Sequence, residues 1–468
     1  MTLDLSLSTQ QSLSTRQSLD LLPTRPRSLE TVDKSNRLKS TSLGGKMVAE
    51  YWDNIFTAKE RGKHVVWYNG TALNPIFQAA GLEWCHGEAF SARLAAMHLE
   101  GPAQQAGEEY GYIGELCSYA RTHLGCAVMT QKGITEKQSG IVGMVDQDEL
   151  ASKLPSPDFF VNAYAGCSTG QQWDAMTYRV FGKDFPIFNV SLPMIWGNKK
   201  DSGYLRGTEW EKTPLYVEEQ LKKLIEFIEY QTKRPFDWGA LSENMSYIKR
   251  ASELRLEAMA LCAAAPTPAT YWDWVASIAP INFLPANQML VDYFQAVKDE
   301  ITQRIVDNVS AVQNERYRVY FDGIMNWNKL GFLTRKFAEY DVAVVAGRYT
   351  HDSFWQEPQL IDLDRPLLGM AQHYLICPIN HGLKIMEELL IKRCDEFGID
   401  GIAFHSTRTC RAMTNPQHIL ARTAERDRGI KTFSFEGDVA DASFYKDESL
   451  ESGLVAMLES IDQQRAKV

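Results

Sequence analysis

The chain has 468 residues and a formal net charge of −10, and 44% of its residues are hydrophobic. This length exceeds what one hydrophobic core usually supports, so we expect more than one domain. The negative charge argues against nucleic acid as a bulk electrostatic partner. No apolar run has the length of a membrane span and no signal peptide is evident, so the sequence predicts a cytoplasmic protein.

The N-terminal part of the chain is predicted to contain an extension followed by a first α/β domain. Residues 1–46 lack an apolar core and are rich in Ser, Thr and Leu, which predicts a disordered extension. In residues 47–212, β-type runs alternate with helical patterns, which is typical of a parallel sheet. The stretch 75–129 is predicted to be mostly helical. The predicted strands of this domain are 64–68, 158–164 and 187–192.

The middle of the chain, residues 213–316, is predicted to be helical. Thr213 is a suitable N-cap for a helix with Pro214 as its first residue. Asp237 is a suitable cap for a second helix, and a third is expected from about 287 to 313. We interpret the apolar stripe of the first helix as core packing.

A second α/β unit, residues 317–468, follows the helical segment. Its predicted strands are 318–323, 341–346, 401–405 and 432–435. The predicted fold class is therefore α/β, with two doubly wound parallel-sheet domains bracketing a helical segment. A cleft between two such domains is a common place for a small-molecule site.

Three cysteines stand in settings that favour a shared site. Cys167 and Cys410 come shortly after predicted strands, and Cys117 lies in the sequence Glu-Leu-Cys-Ser-Tyr. Ligands gather at the carboxyl ends of parallel strands, so these thiols are candidates to converge there. A thiol just before a helix is also expected to have a lowered pKa. Three converging thiolates suit a metal cluster better than a disulfide framework, although any one cysteine is more often a small buried apolar residue.

Several common functional motifs are absent from the sequence or incomplete. No P-loop and no dinucleotide-binding fingerprint is present. His86-Gly87-Glu88 resembles the first half of a zinc deaminase signature, but the second half is absent, so we reject that interpretation. Cys-x-x-Cys does not occur, which argues against zinc ribbons and thioredoxin-like chemistry.

Two alternatives to a cluster site remain open at this point. The segment Gly166-Cys167-Ser168-Thr169-Gly170 matches the nucleophile elbow of a serine hydrolase, with Ser168 as the attacking residue. A cluster-free scaffold that only holds a partner subunit is the other. His405 and His381 are candidate proton donors, or histidines that satisfy core hydrogen bonds.

Five short segments together resemble the 2-hydroxyacyl-CoA dehydratase and benzoyl-CoA reductase family, in particular its cluster-bearing catalytic subunits. The segments are Glu115-Leu116-Cys117-Ser118-Tyr119, Gly166-Cys167 with Trp173, Gly323 with Asn326-Trp327, Cys410, and Glu436-Gly437-Asp438-Val439-Ala440-Asp441. The resemblance extends from about residue 47 to the C-terminus. The long insert before Arg318 is more similar to the larger subunit of ATP-dependent benzoyl-CoA reductases.

The resemblance implies a cofactor and a set of partners. Cys117, Cys167 and Cys410 would bind three irons of a 4Fe–4S cluster, and the fourth iron would face the substrate, a CoA thioester. Cys126 and Cys377 are further candidates as ligands. The expected partners are a related cluster-bearing subunit, forming a heterodimer, and an ATPase activator homodimer with a bridging cluster.

The resemblance also implies a reaction. The expected activity is ATP-dependent one-electron reduction of an aromatic acyl-CoA such as benzoyl-CoA. Dehydration of a 2-hydroxyacyl-CoA is the near alternative. Either reaction needs a water-excluding pocket with donors for a developing oxyanion and with proton donors nearby.

Overall fold

The computed structural model describes residues 34–134, 150–195 and 208–467. Within them the strands form two four-stranded sheets, and every strand pair is parallel. The strands are β1 (Val65–Asn69), β2 (Glu83–His86), β3 (Phe159–Ala165), β4 (Ile187–Leu192), β5 (Tyr317–Asp322), β6 (Val342–Gly347), β7 (Gly401–Thr407) and β8 (Lys431–Gly437). The predicted α/β fold with two parallel sheets is confirmed.

The helices surround these sheets and fill the segment between them. The helices of the first half are α1 (Thr41–Phe56), α2 (Asn74–Ala79), α3 (Gly87–Ala96), α4 (Glu100–Glu109), α5 (Ser118–Lys132) and α6 (Thr169–Phe181). The middle helices are α7 (Thr208–Thr232), α8 (Trp238–Leu261), α9 (Tyr271–Ala276), α10 (Ile278–Asn282) and α11 (Gln288–Val306). The second half has α12 (Leu330–Glu339), α13 (Arg348–His351), α14 (Pro366–Leu375), α15 (Leu383–Phe397), α16 (Arg411–Thr414), α17 (Gln417–Arg428) and α18 (Asp447–Arg465).

The two sheets have the same strand order, β2-β1-β3-β4 in the first and β6-β5-β7-β8 in the second. In each sheet the first and third strands are neighbours, and the second and fourth lie on opposite sides of that pair. The connections that follow the two central strands therefore run to opposite edges of the sheet. Because they diverge, a crevice opens between them beyond the carboxyl ends of these strands. The loops after β1, β3, β5 and β7 are the ones positioned to form a site.

Helices α2 to α5 confirm that the stretch 75–129 is mostly helical, but the stretch also contains strand β2, which was not predicted. It pairs in parallel with β1 from Val65 opposite Glu83 to Tyr68 opposite His86. Three of its four side chains are buried, and Tyr51 donates a hydrogen bond to the carbonyl of Trp84 at 2.7 Å. Burial and sheet pairing, rather than intrinsic propensity, hold this short strand.

The predicted helix boundaries in the middle segment are partly wrong. Helix α7 begins at Thr208, so Pro214 lies inside the helix instead of at its first position. The extra turn carries Trp210, which packs against the main core. Helix α8 begins as predicted, because the Asp237 carboxylate accepts a hydrogen bond from the Ala240 N–H at 2.9 Å. Helix α11 ends at Val306, earlier than expected.

The segment before α1 is hydrogen-bonded to the middle helices. Residues 1–33 of the predicted extension lie outside the described residues, and α1 begins at Thr41. Just before it, the Arg37 side chain and the Leu38 N–H both donate to the Asp273 carboxylate, at 3.2 and 3.1 Å. In the described ranges, no helix is both long and apolar enough to cross a membrane.

Candidate active site

The fold brings three distant cysteines to one cavity between the two halves. Cys117 is the N-cap of α5, Cys167 lies just after β3, and Cys410 is the N-cap of α16, just after β7. All three line one cavity of about 60 Å³, together with Gly70 after β1 and Ile324 after β5. The cavity thus lies where the central strands of both sheets end, as the strand order requires.

A buried carboxylate holds two of the cysteine-bearing loops together. Asp438 accepts hydrogen bonds from the Ser118 hydroxyl, from the Thr409 N–H at 2.8 Å and from the Thr409 hydroxyl at 2.7 Å. The Ser118 N–H in turn donates to the Thr409 hydroxyl at 3.0 Å. Ser118 follows Cys117 and Thr409 precedes Cys410, so this network fixes the distance between the two thiols. We call Asp438, Ser118 and Thr409 the Asp438 clamp.

The third thiol depends on a tight turn. Gly166, just before Cys167, has a φ of +64°, which L side chains rarely adopt. A Cβ on Gly166 would lie 2.0 Å from the carbonyl oxygen of Ile379, another residue of the cavity wall. Only glycine fits this position, and its absence would move Cys167.

The thiol pKa values differ from our expectation. Burial, with the neighbouring thiols, raises the pKa of Cys117, and burial raises the pKa of Cys410 to about 12. The expected lowering by the helix N-termini is therefore wrong for this pair, because desolvation outweighs it. Thiols in such a place become thiolates only when a cation binds them.

The three thiols at this cavity are candidate ligands for an iron–sulfur cluster. Within the described part of the chain, no group of three or more His, Cys, Asp or Glu side chains lies close enough to hold one ion. A cluster takes one thiolate per iron, so its ligands stand farther apart than those of a single ion. Cys117, Cys167 and Cys410 are the three thiols that would hold it.

A second, larger cavity adjoins the first. It has a volume of about 310 Å³, lies between α1, α3 and the α9–α10 segment, and is mostly apolar. Its wall includes Trp52, Ala92, Val275, Ile278 and Phe283. Two residues, Glu88 and Tyr119, line both cavities. These two polar side chains therefore separate the apolar cavity from the three thiols.

Glu88 is the main candidate for proton transfer. It lies in the first turn of α3, directly after β2, and burial raises its pKa to about 7, against a hydrogen bond from the Gly70 backbone. A carboxyl group with this pKa is present in both protonation states near neutral pH, as general acid–base catalysis requires. Our sequence reasoning missed Glu88, because it considered the residue only within the rejected deaminase signature. A carboxylate directly after a strand would have been the signal, but strand β2 itself was not predicted.

Tyr119 is a hydrogen-bond donor between the two cavities. The Trp327 Nε1–H donates to the Tyr119 hydroxyl oxygen at 2.5 Å, so the hydroxyl proton is left to donate elsewhere. Burial raises the pKa of Tyr119 well above its ordinary value, which keeps the phenol protonated. Trp327 itself lines the larger cavity.

As far as the described residues show, neither of the two predicted histidines lines the three-thiol cavity or the larger apolar cavity. His405 is buried and its Nδ1 is 2.6 Å from the carbonyl oxygen of Ile324, while burial lowers its pKa. His381 lines a separate polar cavity with Arg393, and burial lowers its pKa to about 3. Both are mostly uncharged near neutral pH, and their role as proton donors stays a prediction.

Three other candidate residues lie outside the three-thiol cavity as far as the described chain shows. Cys126 is buried in α5 and Cys377 is buried after α14, and neither lines the cavity. Ser168 is exposed, and its hydroxyl makes no hydrogen bond to any described residue. No described histidine activates Ser168, so the geometry does not support a serine hydrolase.

Most of the chain is similar in sequence to one known protein family. Residues 72–461 match the family model described as 2-hydroxyglutaryl-CoA dehydratase, D-component. The chain is 23% identical over 421 residues to the alpha subunit of (R)-2-hydroxyisocaproyl-CoA dehydratase from Clostridioides difficile, covering 90% of this chain and 95% of that protein.

Two further relatives span nearly the whole chain. One of the subunits of benzoyl-CoA reductase from Thauera aromatica is 22% identical, over 93% of this chain and 97% of its own length. The alpha subunit of (R)-2-hydroxyglutaryl-CoA dehydratase from Acidaminococcus fermentans is 21% identical, over 90% and 97%. The relatives thus include both dehydratases and a reductase, and all of them are named as enzymes of acyl-CoA substrates.

Proposed function

The chain belongs to the 2-hydroxyglutaryl-CoA dehydratase D-component family, and on that premise we propose that it is an iron–sulfur catalytic subunit acting on an acyl-CoA thioester. The observation that carries the proposal is the junction of two cavities. One is lined by Cys117, Cys167 and Cys410, and the other is apolar and large enough for an acyl group. Glu88 and Tyr119 stand where the two meet.

Each part of the junction has a separate task. A 4Fe–4S cluster held by the three cysteines would supply one electron to the thioester and a metal ion to polarise its carbonyl. The apolar walls exclude water from the acyl group, which strengthens every polar interaction inside. The Tyr119 hydroxyl is placed to donate to a developing oxyanion.

We propose dehydration of a 2-hydroxyacyl-CoA as the reaction. The hydroxyl leaves C2 and a proton leaves C3, which gives a 2-enoyl-CoA and water. In its acid form Glu88 can donate a proton to the departing hydroxyl, and in its base form it can take the proton from C3. The dehydratase alpha subunits among the relatives support this choice.

Reduction of an aromatic acyl-CoA, which the sequence resemblance favoured, is the second candidate. Aromatic side chains in the wall of the larger cavity, namely Trp52, Phe283, Trp327 and Tyr349, support it because they can pack against an aryl ring. The two reactions differ in electron balance. Dehydration consumes no net electrons, whereas ring reduction consumes two per substrate, so reductant consumption per turnover distinguishes them.

We further propose that the chain works in the cytoplasm with two partners. One is a related subunit, since the relatives are themselves named as single subunits of their enzymes. The other is an ATPase activator with a bridging cluster, as the sequence resemblance implies.

The test is the iron and acid-labile sulfide content after anaerobic purification. We expect about four of each per wild-type chain, and their loss in Cys117→Ala, Cys167→Ala and Cys410→Ala. Cys394→Ala is the matched control, because Cys394 is buried in α15 away from the cavity and its loss should leave the iron content unchanged. A folded wild-type chain without iron would contradict the proposal.

A further inference from the structure

The strand order that the two sheets share gives Glu88 a counterpart in the second half of the chain. Strands β2 and β6 occupy the same edge position in their sheets. Glu88 is the second residue after β2, and Tyr349 is the second residue after β6. Both line the larger, apolar cavity, although they come from different sheets. The position that carries the proposed acid–base group in one half therefore carries a phenol in the other.

The tyrosines that line this cavity differ in what their hydroxyl groups do. The Tyr51 hydroxyl donates to the carbonyl of Trp84 at 2.7 Å, so its proton is already used. The Tyr119 hydroxyl accepts a hydrogen bond from Trp327 and keeps its own proton. Tyr349 is half-buried, and its hydroxyl makes no hydrogen bond to any residue that the structure describes. The protons of Tyr119 and Tyr349 are therefore left for a ligand.

The residue before Tyr349 fixes its position. Arg348 is buried and donates to the Asp322 carboxylate at the end of β5 at 2.7 Å, and to the Met413 carbonyl at 2.6 Å. Met413 lies in α16, which begins directly after Cys410. The main chain at Tyr349 is thus held relative to one of the three thiol-bearing loops, as a preorganised donor requires.

The surroundings of Tyr349 keep its phenol protonated. Burial raises the pKa of Tyr349, and the nearby charges of Glu88 and Cys410 raise it further. Burial and the neighbouring Tyr349 likewise raise the pKa of Tyr119, which lines both cavities. A protonated phenol in an apolar cavity is a strong donor to an oxygen that gains negative charge, because little water screens the interaction.

We propose that Tyr349 donates a hydrogen bond to the carbonyl oxygen of the bound thioester, together with Tyr119, so that each half of the chain supplies one donor of an oxyanion hole. This inference rests on the proposed function, because it requires a thioester at the junction of the cavities. The hydroxyl at C2 is the other oxygen that a phenol could meet. Glu88 is the stronger acid and serves that departing group, whereas the carbonyl needs hydrogen bonds rather than a proton.

The test is the infrared spectrum of a bound thioester, which needs no turnover. Anaerobically prepared full-length chain, with any copurifying partner and without activator, binds hexanoyl-CoA that is isotopically labelled at its thioester carbonyl. A hydrogen bond lowers the carbonyl stretching frequency, so Tyr349→Phe should move the labelled band to higher frequency and weaken binding about two- to tenfold. With the activated complex and 2-hydroxyhexanoyl-CoA, kcat should fall further, about 10²-fold, because the oxyanion forms only during the reaction. Iron content should not change.

Tyr271→Phe is the matched control. The Tyr271 hydroxyl is buried without a hydrogen-bond partner in the described part of the chain, but Tyr271 lines neither cavity, so the band should stay in place. A band at the wild-type position in Tyr349→Phe would overturn the inference and leave the proposed function intact. So would a loss of affinity in Tyr349→Phe for 2-hydroxyhexanoyl-CoA but not for hexanoyl-CoA, which would assign the phenol to the hydroxyl at C2. Wild type that binds neither thioester would contradict the proposed function itself.

Discussion

The two sheets have the same strand order, and each places one cysteine just beyond its third strand. Cys167 follows β3 and Cys410 follows β7. The remaining thiol of the cavity, Cys117, comes from the excursion between β2 and β3, which also carries Glu88 and Tyr119. The corresponding excursion between β6 and β7 gives no thiol to the described cavity lining. The two sheets therefore supply one cysteine each at equivalent positions. The segment between β2 and β3 adds the third thiol, the carboxylate and the phenol, which have no counterpart from the second sheet in the described lining of the three-thiol cavity.

The largest effect is expected from a substitution in the segment between β2 and β3 that removes an ionisable group and keeps the shape of the side chain. Glu88→Gln removes the ionisable proton, so we expect turnover of a 2-hydroxyacyl-CoA by the activated complex to fall about 10²–10⁴-fold. Iron content and thioester binding should not change. Glu109→Gln, an exposed carboxylate at the end of α4, is the control and should keep full activity. Full activity of Glu88→Gln would show that another group transfers the proton.

A substitution at Gly166 tests the turn after β3, which carries one of the two equivalent cysteines. Gly166→Ala would place a Cβ 2.0 Å from the Ile379 carbonyl oxygen, in addition to the strain of a positive φ. We expect a loss of about 3 kcal/mol or more in urea unfolding, together with lost iron. Gly398→Ala has a similar φ of +59° with nothing within 4 Å, so it should cost only about 1–2 kcal/mol. Equal costs at the two positions would mean that the contact with Ile379 does not constrain the turn.

The Asp438 clamp joins the segment that carries Cys117 to the loop that carries Cys410. Its loss should reduce stability and iron content by less than the Gly166 substitution does. Asp438→Asn keeps the shape but removes an acceptor oxygen from Ser118 and Thr409. We expect about 1.5–3 kcal/mol lower stability in urea and reduced iron occupancy. Asp395→Asn breaks an exposed ion pair with Arg428 and should cost at most about 1 kcal/mol. An Asp438→Asn chain with wild-type stability and iron would show that the clamp is dispensable.

The smallest expected effect is at Ser168, which shares the turn with Cys167 but faces solvent. Ser168→Ala should change the free energy of unfolding by less than about 0.5 kcal/mol and leave turnover intact. A fluorophosphonate probe should not label the wild-type chain. Labelling that Ser168→Ala abolishes would restore the serine hydrolase alternative.

The sequence predicted seven of the strands and the settings of the three cysteines, because continuous apolar runs mark buried parallel strands well. It did not predict β2, whose four residues are too few to show a period and which is held by pairing with β1. Without β2, Glu88 could not be placed at a strand end. Missing one short strand thus also removed the most useful polar residue of the site from consideration.

The Asp438 clamp was beyond prediction for a different reason. The Glu436-Gly437-Asp438 segment was noted, but its carboxylates had several possible uses at that stage. Asp438 contacts Ser118 across 320 residues of sequence, and nothing local in either segment indicates the other. Long-range hydrogen bonds of this kind become visible only when both sheets are in place.

The clamp also has a consequence for the order of events during synthesis. Cys117 and Cys167 are made in the first half of the chain, whereas Cys410, Thr409 and Asp438 are among its last 60 or so residues. A nascent chain can present two thiols of the cavity for most of its translation, but not the third. Any ligand that needs all three thiols can be loaded only after the second sheet has been made and has packed against the first half of the chain. A filled site therefore indicates that both sheets are in place.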